Sequence, residues 1–130
     1  MLSVSTPVFA KDNIIFVGDA SHACSPMLEQ GAASALEDAI AFSTFLKKTS
    51  DIKQTIKLYE SFRKPRVNWV KSHSDSPLKQ ISNYQDTKNF KQLITHIREN
   101  GRLNVLKWRE LFSTDYIKQL NQYAESNIPV

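Results

Sequence analysis

A single cysteine, Cys24, stands among 130 residues, so no internal disulfide can form and a reducing, cytoplasmic setting is expected. Glycine is nearly as scarce, at Gly18, Gly31 and Gly101, and glycines so far apart cannot build a Gly-x-Gly-x-x-Gly turn. No apolar run approaches the roughly 20 residues that span a bilayer. The N-terminus has no basic segment leading into an apolar core, so neither a membrane association nor a signal peptide is expected. His22 and Cys24 have no second Cys or His pair at ligand spacing, which argues against a metal site. Basic residues are scarce in the first third. Up to Leu46 there is Lys11 alone against five acids, whereas sixteen basic residues face eight acids from Lys47 onward. Those cations are spread through amphipathic segments, the densest cluster being Arg63-Lys64-Pro65-Arg66. They read as a solvated helix surface rather than a nucleic-acid interface.

With 41% hydrophobic and 23% charged residues, what is present suits a globular chain of the size of one small domain. The opening residues read as a connection or an edge strand (Val4 to Phe9) ending in the polar turn Lys11-Asp12-Asn13. Ile14 to Val17 is a continuous apolar run, the pattern of a strand covered on both faces. Pro26 and Gly31 punctuate a loop, and a helix is expected from Ala32 to Leu46, with the small residues Ala32, Ala35 and Ala39 on its packing side. Thr49-Ser50-Asp51 can cap the next helix. Its apolar stripe is Ile52, Ile56, Tyr59 and Phe62, continued by Val67 and Val70, and Pro65 should kink it or begin a new helix. Ser72 to Pro77 reads as a polar loop. Phe90, Leu93, Ile94 and Ile97 mark a third helix stopping near Asn100-Gly101. Leu103 to Phe112 and Tyr116 to Ala124 complete a helical tail, with Ile128-Pro129-Val130 frayed.

Chemistry-bearing residues concentrate early. Gly18 ends the apolar run and Asp19 follows at its carboxyl end, where open α/β sheets place ligand sites. A strand tip, a carboxylate and a helix N-terminus together can hold a polar cofactor. Glu37 and Asp38 are neighbours on a helix and do not face each other, so they read as structural hydrogen bonders. Asp19, Ser21 and His22 are too close in sequence to converge as a triad. His73 and His96 are isolated, Trp69 and Trp108 read as packing anchors, and no catalytic residue is named.

The run Gly18-Asp19-Ala20-Ser21-His22, then Pro26, then Glu29-Gln30-Gly31, then Glu37-Asp38-Ala39 resembles the second flavin-binding motif of the class A FAD-dependent aromatic-ring hydroxylases, the p-hydroxybenzoate and salicylate hydroxylases among them. A weaker match to a segment that often follows in that family is Tyr59-Glu60-Ser61-Phe62-Arg63-Lys64-Pro65-Arg66. The resemblance covers about the first half of the chain. It departs from the pattern at Glu29, where the family usually has Gly, and at Ala33, where Asn is frequent.

The resemblance implies a C-terminal portion of such an enzyme. The expected fold is mostly α with a short β element: residues 1–48 as the closing piece of an α/β, Rossmann-like FAD-binding domain, and residues 49–130 as trailing helices. It implies FAD bound by Gly18, Asp19, Pro26, Gln30, Gly31, Ala32 and Ala33. The Asp19 carboxylate would accept a ribityl hydroxyl, and the helix start would face the isoalloxazine. It further implies NAD(P)H as transient reductant, O2 and a small, aromatic or similar organic substrate as reaction partners, and a separate N-terminal half or self-association to complete the site. The alternative expectation is a non-catalytic helical remnant or interaction module that keeps the motif as scaffold.

Overall fold

The computed structural model describes residues 7–12, 14–24, 30–82, 95, 98 and 115–128, with the side chains of 75–82 excepted. Their elements are β1 (Ala10–Lys11), β2 (Ile14–Ile15), α1 (Asp19–His22), α2 (Gly31–Lys48), α3 (Ile52–Ser82) and α4 (Tyr116–Asn127). The fold is mostly helical with one two-stranded sheet.

That sheet is a tight hairpin. Ala10 pairs with Ile15 and Lys11 with Ile14, antiparallel, and the chain reverses at Asp12, whose φ of 54° is a left-handed conformation that Asp tolerates better than most residues. The Phe16 N–H continues the ladder to the Phe9 carbonyl at 3.0 Å. The expected strand covered on both faces is corrected here. Ile14 is 60% and Val17 48% exposed, because among the described residues β2 has one partner strand and nothing stacked on its outer side. The edge strand expected at Val4 to Phe9 begins later, at Ala10, and Val4 to Thr6 lie outside the described residues.

Helix α2 starts at Gly31 and ends with Lys47 and Lys48 in its last turn, where cations oppose the negative end of the helix dipole. Its buried face is not the alanine stripe expected. Ser34, Asp38, Ala41 and Phe45 turn inward, at helical spacing, while Ala32 and Ala39 are exposed. The charged Asp38 takes an inward position because α3 brings a cation to it, described below.

Asp51 caps α3 as expected: its Oδ1 accepts the Lys53 N–H at 3.0 Å, one of the donors a helix start leaves without an intrahelical partner. The helix then runs without a break through Pro65 and onward to Ser82, so neither a new helix at Pro65 nor a loop at Ser72 to Pro77 forms. The polar residues of that stretch bond back into the helix. The Ser72 hydroxyl donates to the Trp69 carbonyl at 2.8 Å, His73 Nδ1 lies 2.8 Å from the same oxygen, and the His73 ring stacks on Trp69 at 4.0 Å. Such local bonding lets a polar run remain helical.

Helix α4 matches the segment expected at Tyr116 to Ala124. Asp115 caps it by accepting the Lys118 N–H at 3.1 Å. Ile128 does not fray; its N–H reaches the Ala124 carbonyl at 3.0 Å and its side chain packs on the core. Phe9, Ala41, Phe45, Leu58, Tyr59, Val67, Leu120 and Ala124 form that core. Aromatic edges meet faces within it, Phe9 on Tyr59 at 5.5 Å and Phe45 on Phe62 at 5.9 Å. The third helix expected at Phe90 to Ile97, and the helix at Leu103 to Phe112, lie outside the described residues apart from Thr95.

Candidate flavin-proximal site

Gly18 leaves the hairpin with φ 56° and ψ −138°, a backbone state open in practice to glycine. A Cβ added there would also come within 3.3 Å of Ala35 Cβ, so α2 packs directly on this residue. The four-residue turn α1 follows, closed by Ser21 and His22 N–H groups donating to the Gly18 carbonyl, each at 2.9 Å. Within it Ser21 and His22 point inward and Asp19 and Ala20 face out.

The turn is fastened to α2 by one carboxylate. Asp38 Oδ2 accepts the Gly18 N–H at 2.8 Å and meets His22 Nε2 at 2.6 Å, while its Oδ1 accepts Arg63 Nε–H at 2.7 Å. Asp38, His22 and Arg63 are 0%, 4% and 0% exposed. Burial alone would drive the Asp38 carboxyl upward, but hydrogen bonds from His22, Gly18 and Arg63 overcome it and hold its pKa below the ordinary value. An ionised carboxylate only accepts, so His22 Nε2 carries the proton of this bond.

Arg63 uses its whole guanidinium. Nη1 donates to Glu37 at 2.6 Å, and Nη2 donates to the Ser34 carbonyl at 3.1 Å and the Ser34 hydroxyl at 3.0 Å. Arg66, one turn on, holds Glu37 through Nε at 2.7 Å and through Nη2. The Tyr116 hydroxyl donates to the Glu37 carbonyl at 2.8 Å, and its ring lies 5.8 Å and 5.3 Å from the Arg63 and Arg66 guanidinium carbons. Burial and Glu37 push the Tyr116 hydroxyl up to about 12, against the opposing pull of Arg63 and Arg66. Two carboxylates against two guanidiniums leave this cluster balanced, the condition under which charges can leave water. Arg63 and Arg66 are therefore interior and half-buried residues, not part of the solvated surface expected for them. Glu37 and Asp38 are hydrogen bonders, as read from the sequence.

Of the residues proposed to hold a cofactor, the fold brings Gly18, Asp19 and the start of α2 together. Asp19 is exposed, and its Oδ1 lies 3.9 Å from where a Gly31 side chain would begin. Gln30 is the N-cap residue of α2 and makes no side-chain cap bond. The Ser34 N–H is already bonded to the Gln30 carbonyl at 2.8 Å, so the N–H groups of Gly31, Ala32 and Ala33 are the ones that α-helical geometry leaves without a partner within the helix. Ala32 is exposed and Ala33 half-buried. Pro26 and Glu29 lie outside the described residues. Acceptor chemistry at Asp19 beside donor chemistry at a helix start fits a flavin, whose ribityl hydroxyls donate and whose pyrimidine carbonyls accept. His22 and Arg63, set aside in the sequence reading, hold this arrangement. The adjacent acids Glu37-Asp38 in a helix otherwise rich in small residues, and the Arg63/Arg66 pair on one face of the next helix, were the signal available for them.

Among the described residues no three His, Cys, Asp or Glu side chains gather as a metal site, and no helix is long and apolar enough to cross a membrane. The chain matches no family model and no solved structure. It is 42% identical over 69 residues to the FAD-dependent monooxygenase atnJ of an Arthrinium species, which is 51% of this chain and 16% of that protein. It is 41% identical over 64 residues to hispidin-3-hydroxylase of Neonothopanus nambi, 47% of this chain and 15% of that protein. With 6-hydroxynicotinate 3-monooxygenase of Bordetella bronchiseptica it shares 33% identity over 81 residues, 59% of this chain and 21% of that protein. The matched part of the chain thus spans about a fifth or less of the length of these curated relatives. Over about half its length, the chain is similar to FAD-dependent monooxygenases.

Proposed function

We propose that this chain is the FAD-binding portion of an NAD(P)H-dependent class A monooxygenase that hydroxylates an aromatic or similar small organic compound. Residues 1–48 form the closing piece of its flavin domain and residues 49–130 the helical region after it. The observation that carries this reading is the Asp38 clamp, which fixes the Gly18-Asp19 turn so that an exposed carboxylate stands beside the start of α2. The sequence similarity to FAD-dependent monooxygenases supports the same reading, and two of those relatives carry names that specify hydroxylation of hispidin and oxygenation of 6-hydroxynicotinate.

Asp19 accepts a ribityl hydroxyl. Gly18 gives the turn its direction without a side chain in the way, and the N–H groups of Gly31, Ala32 and Ala33 would donate to the pyrimidine edge, with Gln30 and Pro26 proposed as further contacts. The positive end of the α2 dipole stabilises negative charge at that edge. FAD, when bound, supplies the redox chemistry, taking electrons from NAD(P)H and using them with O2 to place one oxygen atom on the substrate and one in water. No residue of this chain is assigned as acid or base. The remaining flavin contacts come from a separate N-terminal half or from a second copy, which would cover Ile14, Val17, Leu36 and Ile40, all more than a third exposed.

The test is a titration of the 130-residue chain with FAD, followed by flavin absorbance. Saturable binding is expected, weakened about tenfold or more in Asp19→Ala, since a hydrogen bond to a charged group contributes about 1.5–3 kcal/mol. A flavin spectrum that never changes while the chain stays helical means that this chain alone is a fragment. The titration is then repeated with the N-terminal half present, and no binding there overturns the reading and leaves a helical interaction module.

A further inference from the structure

We infer that His22 is a positioning residue for Asp19: by tying the far end of the turn to the same Asp38 oxygen that holds Gly18, it sets the direction in which the Asp19 carboxylate is offered to flavin. This rests on the function proposed above. Gly18 and His22 are the first and last residues of one turn, and both converge on Asp38 Oδ2, at 2.8 Å and 2.6 Å. The residue between them that faces solvent with an ionisable side chain is Asp19. With two ends fixed to one atom of a rigid helix, the turn cannot rotate about its own axis. Without His22 its fastening to Asp38 would be the Gly18 N–H alone, and the Gly18 φ of 56° is one of many that glycine adopts at similar energy.

The other oxygen of Asp38 is occupied by Arg63 at 2.7 Å, so the carboxylate cannot swing to compensate. Phe9 limits the imidazole from the side, its ring centroid 6.2 Å away. The Val8 N–H reaches the Ser21 carbonyl at 3.4 Å, which ties the hairpin to the same turn. A histidine there for packing alone would need no contact with the atom that holds Gly18. This one makes that contact with a donor proton.

Two variants and two readouts test this. In His22→Ala the amide protons of Gly18 and of Ser21 to Ala23 should exchange with solvent about tenfold faster or more, the consequence of losing a hydrogen bond to a charged group, while amides of α2 and α3 keep their protection. FAD affinity should fall by a similar factor with Asp19 untouched. His22→Gln, which keeps a side-chain N–H donor at comparable reach, should recover most of both. Unchanged exchange at Gly18 in His22→Ala overturns the inference by itself, because it needs no flavin. Faster exchange with undiminished FAD affinity also overturns it, since the turn would then be held but not used. If the unaltered chain alone binds no FAD, the affinity comparison is made with the N-terminal half present, and no binding there overturns the proposed function and, with it, the positioning role toward flavin.

Discussion

Two residues decide the local geometry, and each is costly to replace. Gly18 sits at φ 56° and ψ −138° with Ala35 Cβ 3.3 Å from where its own Cβ would be. A side chain there meets both a disfavoured backbone state and a packed helix, so Gly18→Ala should destabilise the fold by about 1–3 kcal/mol, read as a lowered urea midpoint with an unchanged slope. Arg63 is fully buried, and it is bound to groups 25, 26 and 29 residues earlier in the chain. Taking one member from such a cluster leaves a buried charge without its counterion, which costs more than the pair contributes. That asymmetry explains how a cation can stand at the centre of a fold this small.

At the level of elements, α2 and α3 are joined by charge where most helix pairs are joined by apolar ridges alone. Phe45, Leu58, Tyr59 and Val67 supply the apolar contact on one side, and the Asp38–Arg63 and Glu37–Arg66 pairs supply the other. Helix α4 is secured at one end by the Tyr116 hydroxyl on the Glu37 carbonyl and along its face by Leu120 and Ala124. Tyr116→Phe removes that donor and keeps the ring over Arg66. It should cost about 0.5–1.5 kcal/mol, and amide exchange should quicken in α4 before it does in α2. Helix α3 shows how far periodicity carries a sequence reading. Its cap at Asp51 and its stripe through Tyr59 and Val70 follow from residues next to one another in the chain. Its passage through Pro65 and through Ser72 to Pro77 does not, because back-bonding by Ser72 and His73 to the Trp69 carbonyl replaces what the sequence suggests is a loop.

For the molecule as a whole, these ionisations set the pH range of stability. The native Asp38 pKa lies below its ordinary 3.8. The unfolded chain therefore takes up that proton first as acid is added, so the contribution of Asp38 is present above about pH 4 and is lost as pH falls through the native value. Tyr116 acts at the other extreme. Its hydroxyl is pushed from 10.0 to about 12, so the unfolded chain releases that proton first and stability falls as pH rises from 10 toward 12. Urea midpoints measured across both ranges should decline at each end, and in Tyr116→Phe the alkaline decline should be shallower. A flat profile on the acid side would mean that Asp38 is not held ionised by its partners.

Residues near one another in sequence determined the starts of α2 and α3, the turn at Asp12 and the helix beginning at Tyr116. Capping, turn chemistry and glycine geometry act over a few residues and need no knowledge of the rest of the chain. Only the tertiary structure decided which face of α2 is buried, that Arg63 is interior and Arg66 half-buried, that Asp19 stands beside the start of α2, and that His22 and Gly18 share one carboxylate oxygen. Those outcomes depend on whether a charge finds its counterion before it loses its water. Here the counterions came from residues 25 to 29 positions apart, brought together by the packing of α3 on α2.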